Sequence, residues 1–401
     1  MLSPRRFALV FVLFVILLVA LLRRTTTHYD KDHALLRSTV DDQGWYDQNP
    51  SHLNLTIPSP LFQPGTNDPN RIYRKALISG HTKKEKPDIE WTQTDIPDVD
   101  LYLYTVNDRS AALHPPRNKG REVMVYLTFI IDHYDDLPDV MIFMHAHRRA
   151  WHNADVLGND AVQMIRRLNA ERVVREGYMN MRCQWFPGCP DWIHPLEVQK
   201  DDQKKEQLQI APAWQELFPN APIPDVLAQP CCSQFALSRE RVLSIPLEQF
   251  EHYRNWVLKS RLADTISGRV FEYLWQYIFT GETTYCPVEH ICYCDGFGVC
   301  FDGKEPYDAW HDIRRERDRI NHELVLWEQQ KNRSETAVQE GFEGVPMPQE
   351  GRNVVLQAEI ERLQTKMSDQ VAEAIERGSD PRVRFRAAEE ERELSKMDRH
   401  R

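Results

Sequence analysis

The sequence predicts an α/β fold: one mixed-sheet domain, preceded by a single transmembrane helix and followed by charged C-terminal helices. Three observations carry this reading. Strand-like runs alternate with helix-period segments between about Arg74 and Phe301, an unbroken apolar stretch lies near the N-terminus, and all 8 cysteines fall between Cys183 and Cys300. With 41% hydrophobic and 10% aromatic residues among 401, the chain is not a disordered protein. A net charge of −10 without a concentrated basic patch argues against a nucleic-acid partner.

Residues 1–6 are read as a cytosolic N-terminus and residues 7–22 as a transmembrane signal anchor in the lipid bilayer. Phe7 to Leu22 are uniformly apolar between the pairs Arg5/Arg6 and Arg23/Arg24. At 1.5 Å per residue they cover about 24 Å, and arginine snorkelling extends this towards the ~30 Å hydrocarbon core. A cleaved signal peptide is the competing reading, but the stretch from Val19 to Arg24 lacks a small-x-small cleavage site. Residues 23–73 form a polar stem in which Pro50, Pro58, Pro60, Pro64 and Pro69 favour an extended spacer.

An even number of cysteines behind an anchor reads as disulfides in an oxidising lumen. Cys183, Cys189, Cys231, Cys232, Cys286, Cys292, Cys294 and Cys300 are the candidates. The expectation is therefore a single-pass type II protein of the Golgi or endoplasmic reticulum, with its main domain lumenal. Asn54 and Asn332 head glycosylation sequons compatible with that compartment. A zinc site on Cys286, Cys292, Cys294 and Cys300, with His290, is the alternative; its spacing is not that of a zinc ribbon.

Residues 74–306 are expected to form the lumenal α/β domain. Lys75–Ser79 and Asp100–Val106 read as strands, and the run from Arg121 to Leu137 as an amphipathic helix. Asp139–His147 is a continuous apolar strand that turns polar at its end. Further helices are predicted over Val162–Glu176 and Ile266–Phe279. Strand, strand, helix, strand implies parallel crossovers, whose ligands sit at the carboxyl ends of strands. Residues 307–401 read as a charged helical appendage without catalytic residues. Its segment Asn353–Glu376 carries a stripe, Leu356, Ile360, Leu363, Met367, Val371 and Ala374, suited either to helix-mediated self-association or to lying against the domain.

Three clusters are candidates for chemistry. Asn118, Arg121 and Glu122 sit where a loop opens a helix, a setting for a phosphate or carboxylate, or for a simple helix cap at Asn118. His145 and His147 stand at the end of the buried strand, with His152 shortly after. In an extended segment His145 and His147 share a face and converge on a divalent metal or a diphosphate; the bland reading is a polar strand end. Ser233 and Gln234 follow the paired Cys231-Cys232, and Glu272 and Trp275 lie three apart on a predicted helix, a carboxylate beside an indole. There Glu272 is the candidate general base, against the alternative of a helix packing Trp275 into the core.

The ordered runs Asn118–Glu122, Phe143–His147, Cys231–Arg239 and Ser267–Trp275 resemble an uncharacterised fungal membrane-protein family catalogued as a domain of unknown function. The order of elements is also similar to that of GT-A-fold nucleotide-sugar glycosyltransferases. That resemblance implies a nucleotide-sugar donor and a glycan or lipid acceptor. It implies that Asn118 and Arg121 face the donor, and that Ser233, Gln234, Glu272 and Trp275 face the acceptor. Where that family carries an Asp-x-Asp metal triplet, this chain reads His145-Ala146-His147, which suits softer metals or direct diphosphate binding. The alternatives are a lumenal binding or scaffold protein with a degenerate site, and a zinc hydrolase built on His145, His147 and His152.

Overall fold

The computed structural model describes residues 62–65, 71–342 and 344–398; the candidate anchor 7–22, most of the stem and Asn54 lie outside them. Among the described residues no helix is long and apolar enough to cross a membrane. The core is a five-stranded sheet of β1 (Lys75–His81), β2 (Asp100–Thr105), β3 (Val140–Phe143), β4 (Tyr178–Asn180) and β5 (Phe235–Ser238), in the order β2-β1-β3-β5-β4. β1 pairs in parallel with β2 and β3, and β5 runs antiparallel to β3 and β4. The sheet is therefore mixed, as expected. Its topology brings the carboxyl ends of β1 to β4 and the start of β5 to one edge.

Alternation along the strands creates two cores. Ala76, Ile78, Met141, Phe143, Phe235 and Leu237 face one side. They pack with α2 (Glu122–Asp132), α5 (Gln207–Leu217), α7 (Leu247–Lys259), α8 (Asp264–Glu272) and α9 (Trp275–Thr280). Leu77, Val140, Ile142 and Ala236 face the other. Against them lie α3 (Ala161–Arg167), α4 (Ala170–Glu176), α10 (Glu289–Phe297) and the start of α11 (Lys304–Gln339). Strands buried on both faces read as near-continuous apolar runs, which is why β1 and β3 were visible in the sequence. The remaining helices are α1 (Trp91–Asp95), α6 (Arg239–Leu243), α12 (Arg352–Gly378) and α13 (Pro381–Asp398).

Three predicted elements change shape. The strand Asp139–His147 is paired only over Val140–Phe143; beyond it the His145 N–H donates to the Gln234 side chain (3.2 Å), not to a neighbouring strand. The helix Val162–Glu176 is two, because Asn169 breaks it and caps α4 by accepting from Glu171 N–H. The helix Ile266–Phe279 is likewise α8 and α9. Between them the Glu272 carbonyl accepts from the Gln229 amide and the Tyr273 carbonyl from the Gln276 amide, so side chains replace the helical ladder.

The boundary at residue 307 falls inside α11 and does not separate a loose appendage. Tyr307 and Trp310 are buried in the second core together with Met367 and Ala374 of α12. Farther along, Ile320 and Leu324 of α11 pack against Leu356, Ile360 and Leu363, so the heptad-like stripe is covered within the chain. Asn332 lies within α11 and not on a loop; the Ser334 of its sequon is fully buried, its hydroxyl donating to the Gln330 and Pro346 carbonyls. Asn332 itself is exposed on that helix.

Every cysteine is paired: Cys183 with Cys292, Cys189 with Cys286, Cys294 with Cys300, and Cys231 with its neighbour Cys232. The disulfide expectation holds, and the zinc alternative on the last four cysteines falls, because each of those sulfurs is in a disulfide and none is a thiolate.

Candidate functional site

At the shared sheet edge the chain builds a site around Glu272, the last residue of α8. Its Oε1 accepts from the Cys232 N–H (2.8 Å), and the Cys232 carbonyl accepts from His145 Nε2 (2.9 Å). One residue of the vicinal disulfide thus links the end of β3 to the end of α8. The turn needs φ of +92° at Cys232 and +51° at Ser233, two consecutive non-glycine residues in the left-handed region. Such backbone is costly and persists only where its surroundings hold it. Arg182, just past β4, holds it from the other side: Nη1 lies 3.1 Å from Cys231 Sγ and 3.7 Å from Cys232 Sγ. The Arg182 guanidinium faces the ring of Trp151, which is 67% exposed. The rings of His145 and His152 meet edge-on at 4.6 Å.

A second lock sits opposite. Gly120 and Arg121 precede α2 with φ of +67° and +58°, and Gly268 of α8 packs directly on them. A Cβ at Gly268 would stand 3.0 Å from Arg121 Cγ and 3.2 Å from the Gly120 carbonyl oxygen. The Asn-x-Gly-Arg and Ser-Gly-Arg segments therefore serve one junction, which fixes the N-terminus of α2 beside the helix that carries Glu272. Gly268→Ala is expected to cost about 1–3 kcal/mol by overpacking this contact. Urea unfolding of the variant checks this, and unchanged stability would show that the junction yields freely.

Electrostatics single out Glu272. Burial pushes its carboxyl up to about 7, nearby Glu122 adds to the rise, and the Cys232 N–H opposes it. A group poised near neutrality can exchange protons at physiological pH. His152 behaves oppositely: burial, then His145, Arg182 and His147, lower it to about 3, so it stays neutral.

The structure thus links Glu272 to Cys232 and His145, with His152 against His145 and Glu122 near Glu272, while Arg121 packs on Gly268 of the same helix. It does not gather the rest. His147 is exposed, because the strand ends before it and the shared face for His145 and His147 does not exist. Asn118 is exposed, and Arg121, not Asn118, stands at the N-cap of α2. Trp275 is 0% exposed, stacked with Phe279 in the first core, so it presents no surface to an acceptor. Ser233 and Gln234 are buried too; Gln234 holds the histidine loop by donating to Asn153 Oδ1 (3.1 Å) and accepting from His145 N–H.

The histidines do not fit a metal. Among the described residues the only group of three potential ligands within reach of one ion is Cys231, Cys232 and Glu272, and the two sulfurs are bonded to each other. His145 Nε2 is engaged with a carbonyl, and His147 is exposed. Sequence reasoning missed Arg182 and the linking role of Cys232. The adjacent cysteines were a visible signal; Arg182, inside Met181-Arg182-Cys183, carried none.

Two cavities flank this region without containing Glu272. One of about 720 Å³ lies between α5 and α7, and one of about 540 Å³ lies beyond Arg182, against α11.

No curated protein and no solved structure matches the chain. Residues 77–295 match the family described as Protein of unknown function (DUF3431), a span that holds the sheet apart from the first two residues of β1, every site residue above and all but one of the cysteines. The chain belongs to the DUF3431 family.

Proposed function

We propose that this protein is a glycosyltransferase-like enzyme acting on a nucleotide-sugar donor at the Glu272 edge, without a metal step. The observation that carries the reading is the convergence of Glu272, Cys232 and His145 where the parallel strands end, the place where open α/β sheets bind ligands. In this scheme Glu272 takes the proton of an acceptor hydroxyl as its oxygen bonds to the sugar carbon. The bond from that carbon to the donor diphosphate breaks, and the electron pair leaves with the diphosphate. Arg121 and the positive N-terminal end of α2 neutralise the departing charge. Four disulfides favour an oxidising compartment, in keeping with a type II lumenal protein anchored through residues 7–22.

A second reading, a lumenal binding protein, is favoured by the inward burial of Ser233, Gln234 and Trp275. Release of nucleoside diphosphate from a panel of nucleotide sugars by the full chain separates the two. Under the enzyme reading turnover is seen with at least one donor and survives EDTA. Turnover abolished by EDTA and restored by Mn²⁺ would overturn the metal-free scheme, and none with any donor would favour binding alone.

A further inference from the structure

The second cavity, of about 540 Å³, is formed where α11 crosses the sheet edge, and nothing in the proposed chemistry uses it. Its size lies within the range of roughly 300–1,000 Å³ usual for small-molecule sites. Its walls are mostly polar, and most of their charges are paired. Arg314 pairs with Asp155, Arg315 with Asp312, and Asp308 with Lys304. Two charged walls have no ion-pair partner among the described residues, and they are of opposite sign. Arg182 donates to the Phe186 carbonyl (2.7 Å), and Glu289 accepts from the Trp185 N–H (2.5 Å).

Hydrogen-bonding capacity is also left over. Tyr307 Oη and His311 Nε2, on two of the lining residues, are buried without a partner. At the rim Phe186 is 76% exposed, a flat apolar surface beside polar walls. A phosphate needs a surplus of positive charge, which paired ions do not provide. A hydroxyl both donates and accepts, so a ring of hydroxyls matches walls that offer both in balance.

We propose that this cavity is a binding site for a neutral, polyhydroxylated ring of the hexose class. The proposal stands apart from the catalytic reading of Glu272, since the cavity does not contain that residue. It concerns binding alone.

The test is saturation-transfer NMR and calorimetry on the full chain with glucose, mannose and galactose, and with inorganic phosphate and pyrophosphate as the anionic arm. At least one hexose is expected to bind, and neither anion to bind as tightly. Asp312→Trp fills the mouth from a side chain that is 68% exposed, so it should weaken the hexose by about tenfold or more while leaving the thermal midpoint unchanged. Asp312→Asn, which loses only a surface ion pair, should stay within about twofold. Glu272→Gln should not alter hexose binding, so loss of transfer and loss of the cavity ligand are separable. No hexose binding, tighter binding of either anion, or an Asp312→Trp variant that binds like the parent would each overturn the proposal; the first would mean that the cavity holds water alone.

Discussion

Glu272→Gln is expected to lower kcat for sugar transfer by roughly 10²–10⁴-fold with little change in KM, because it removes the proton acceptor and keeps the shape. The pH profile carries the sharper signature. The active form is the carboxylate, so kcat of the parent enzyme should rise tenfold per pH unit below about 7 and level off above it. The variant should lack that limb. A rate that falls through the same range would instead make Glu272 a general acid and would reverse its role. Stability moves in the opposite sense. A carboxyl whose folded value lies above the ordinary 4.5 takes up a proton on folding, so its stabilising contribution is present at low pH and lost as pH rises through about 7. Glu272→Gln should therefore flatten that part of the stability profile while removing activity, which a generally damaged protein would not do.

His145 and His147 do not share a strand face, for a physical reason that also shows where sequence reading stops. A period of two places His145 and His147 on one face only while the strand continues. The strand ends at Phe143, because the side chain of Gln234, some ninety residues away, takes the N–H of His145. No local pattern records that. The same holds for Glu272 and Trp275: three apart on a continuous helix they would share a face, but Gln229 and Gln276 bind the carbonyls at the break and send Trp275 into the core.

What was legible followed from apolar periodicity and composition. β1, β2 and the helix α2 announced themselves by burial patterns, and the cysteines by their number and confinement. β4 and β5, of three and four residues, are too short to carry a period, and α5 contains Pro212 within its helix, a residue that argues against one. Disulfide connectivity was out of reach for the reason that hides Gln234: Cys183 and Cys292 lie 109 residues apart and are brought together only by the finished sheet and α10.

Asp295→Ala is expected to destabilise the fold by about 3–5 kcal/mol, because it takes from a buried charge the more deeply buried of its two partners. Arg172 is 1% exposed; its Nη1 donates to Asp295 Oδ2 at 2.9 Å, and its Nη2 lies 3.0 Å from Glu391 Oε2. Burial works against the Arg172 charge, but Glu391 and Asp295 outweigh it and hold the guanidinium protonated. Arg175 reaches the same Asp295 oxygen at 2.5 Å. Asp295 therefore ties α4 to α10, and Glu391 brings α13 to the same cation from beyond the residues that match the family. The side chain of Glu391 is 19% exposed against 2% for Asp295, so water partly replaces it when it is removed. Glu391→Ala should cost less, about 1–2 kcal/mol. In Asp295→Ala/Glu391→Ala the two losses should not add, since both act on one guanidinium. Replacing the cation itself by Arg172→Met removes the charge that needs a partner but leaves Asp295 beside Arg175, and should be milder than Asp295→Ala. Urea denaturation of the four variants measures this order. Equal stability of Asp295→Ala and the parent would mean that water reaches Arg172, and additive losses would mean that α13 is held to the domain by contacts other than this cluster.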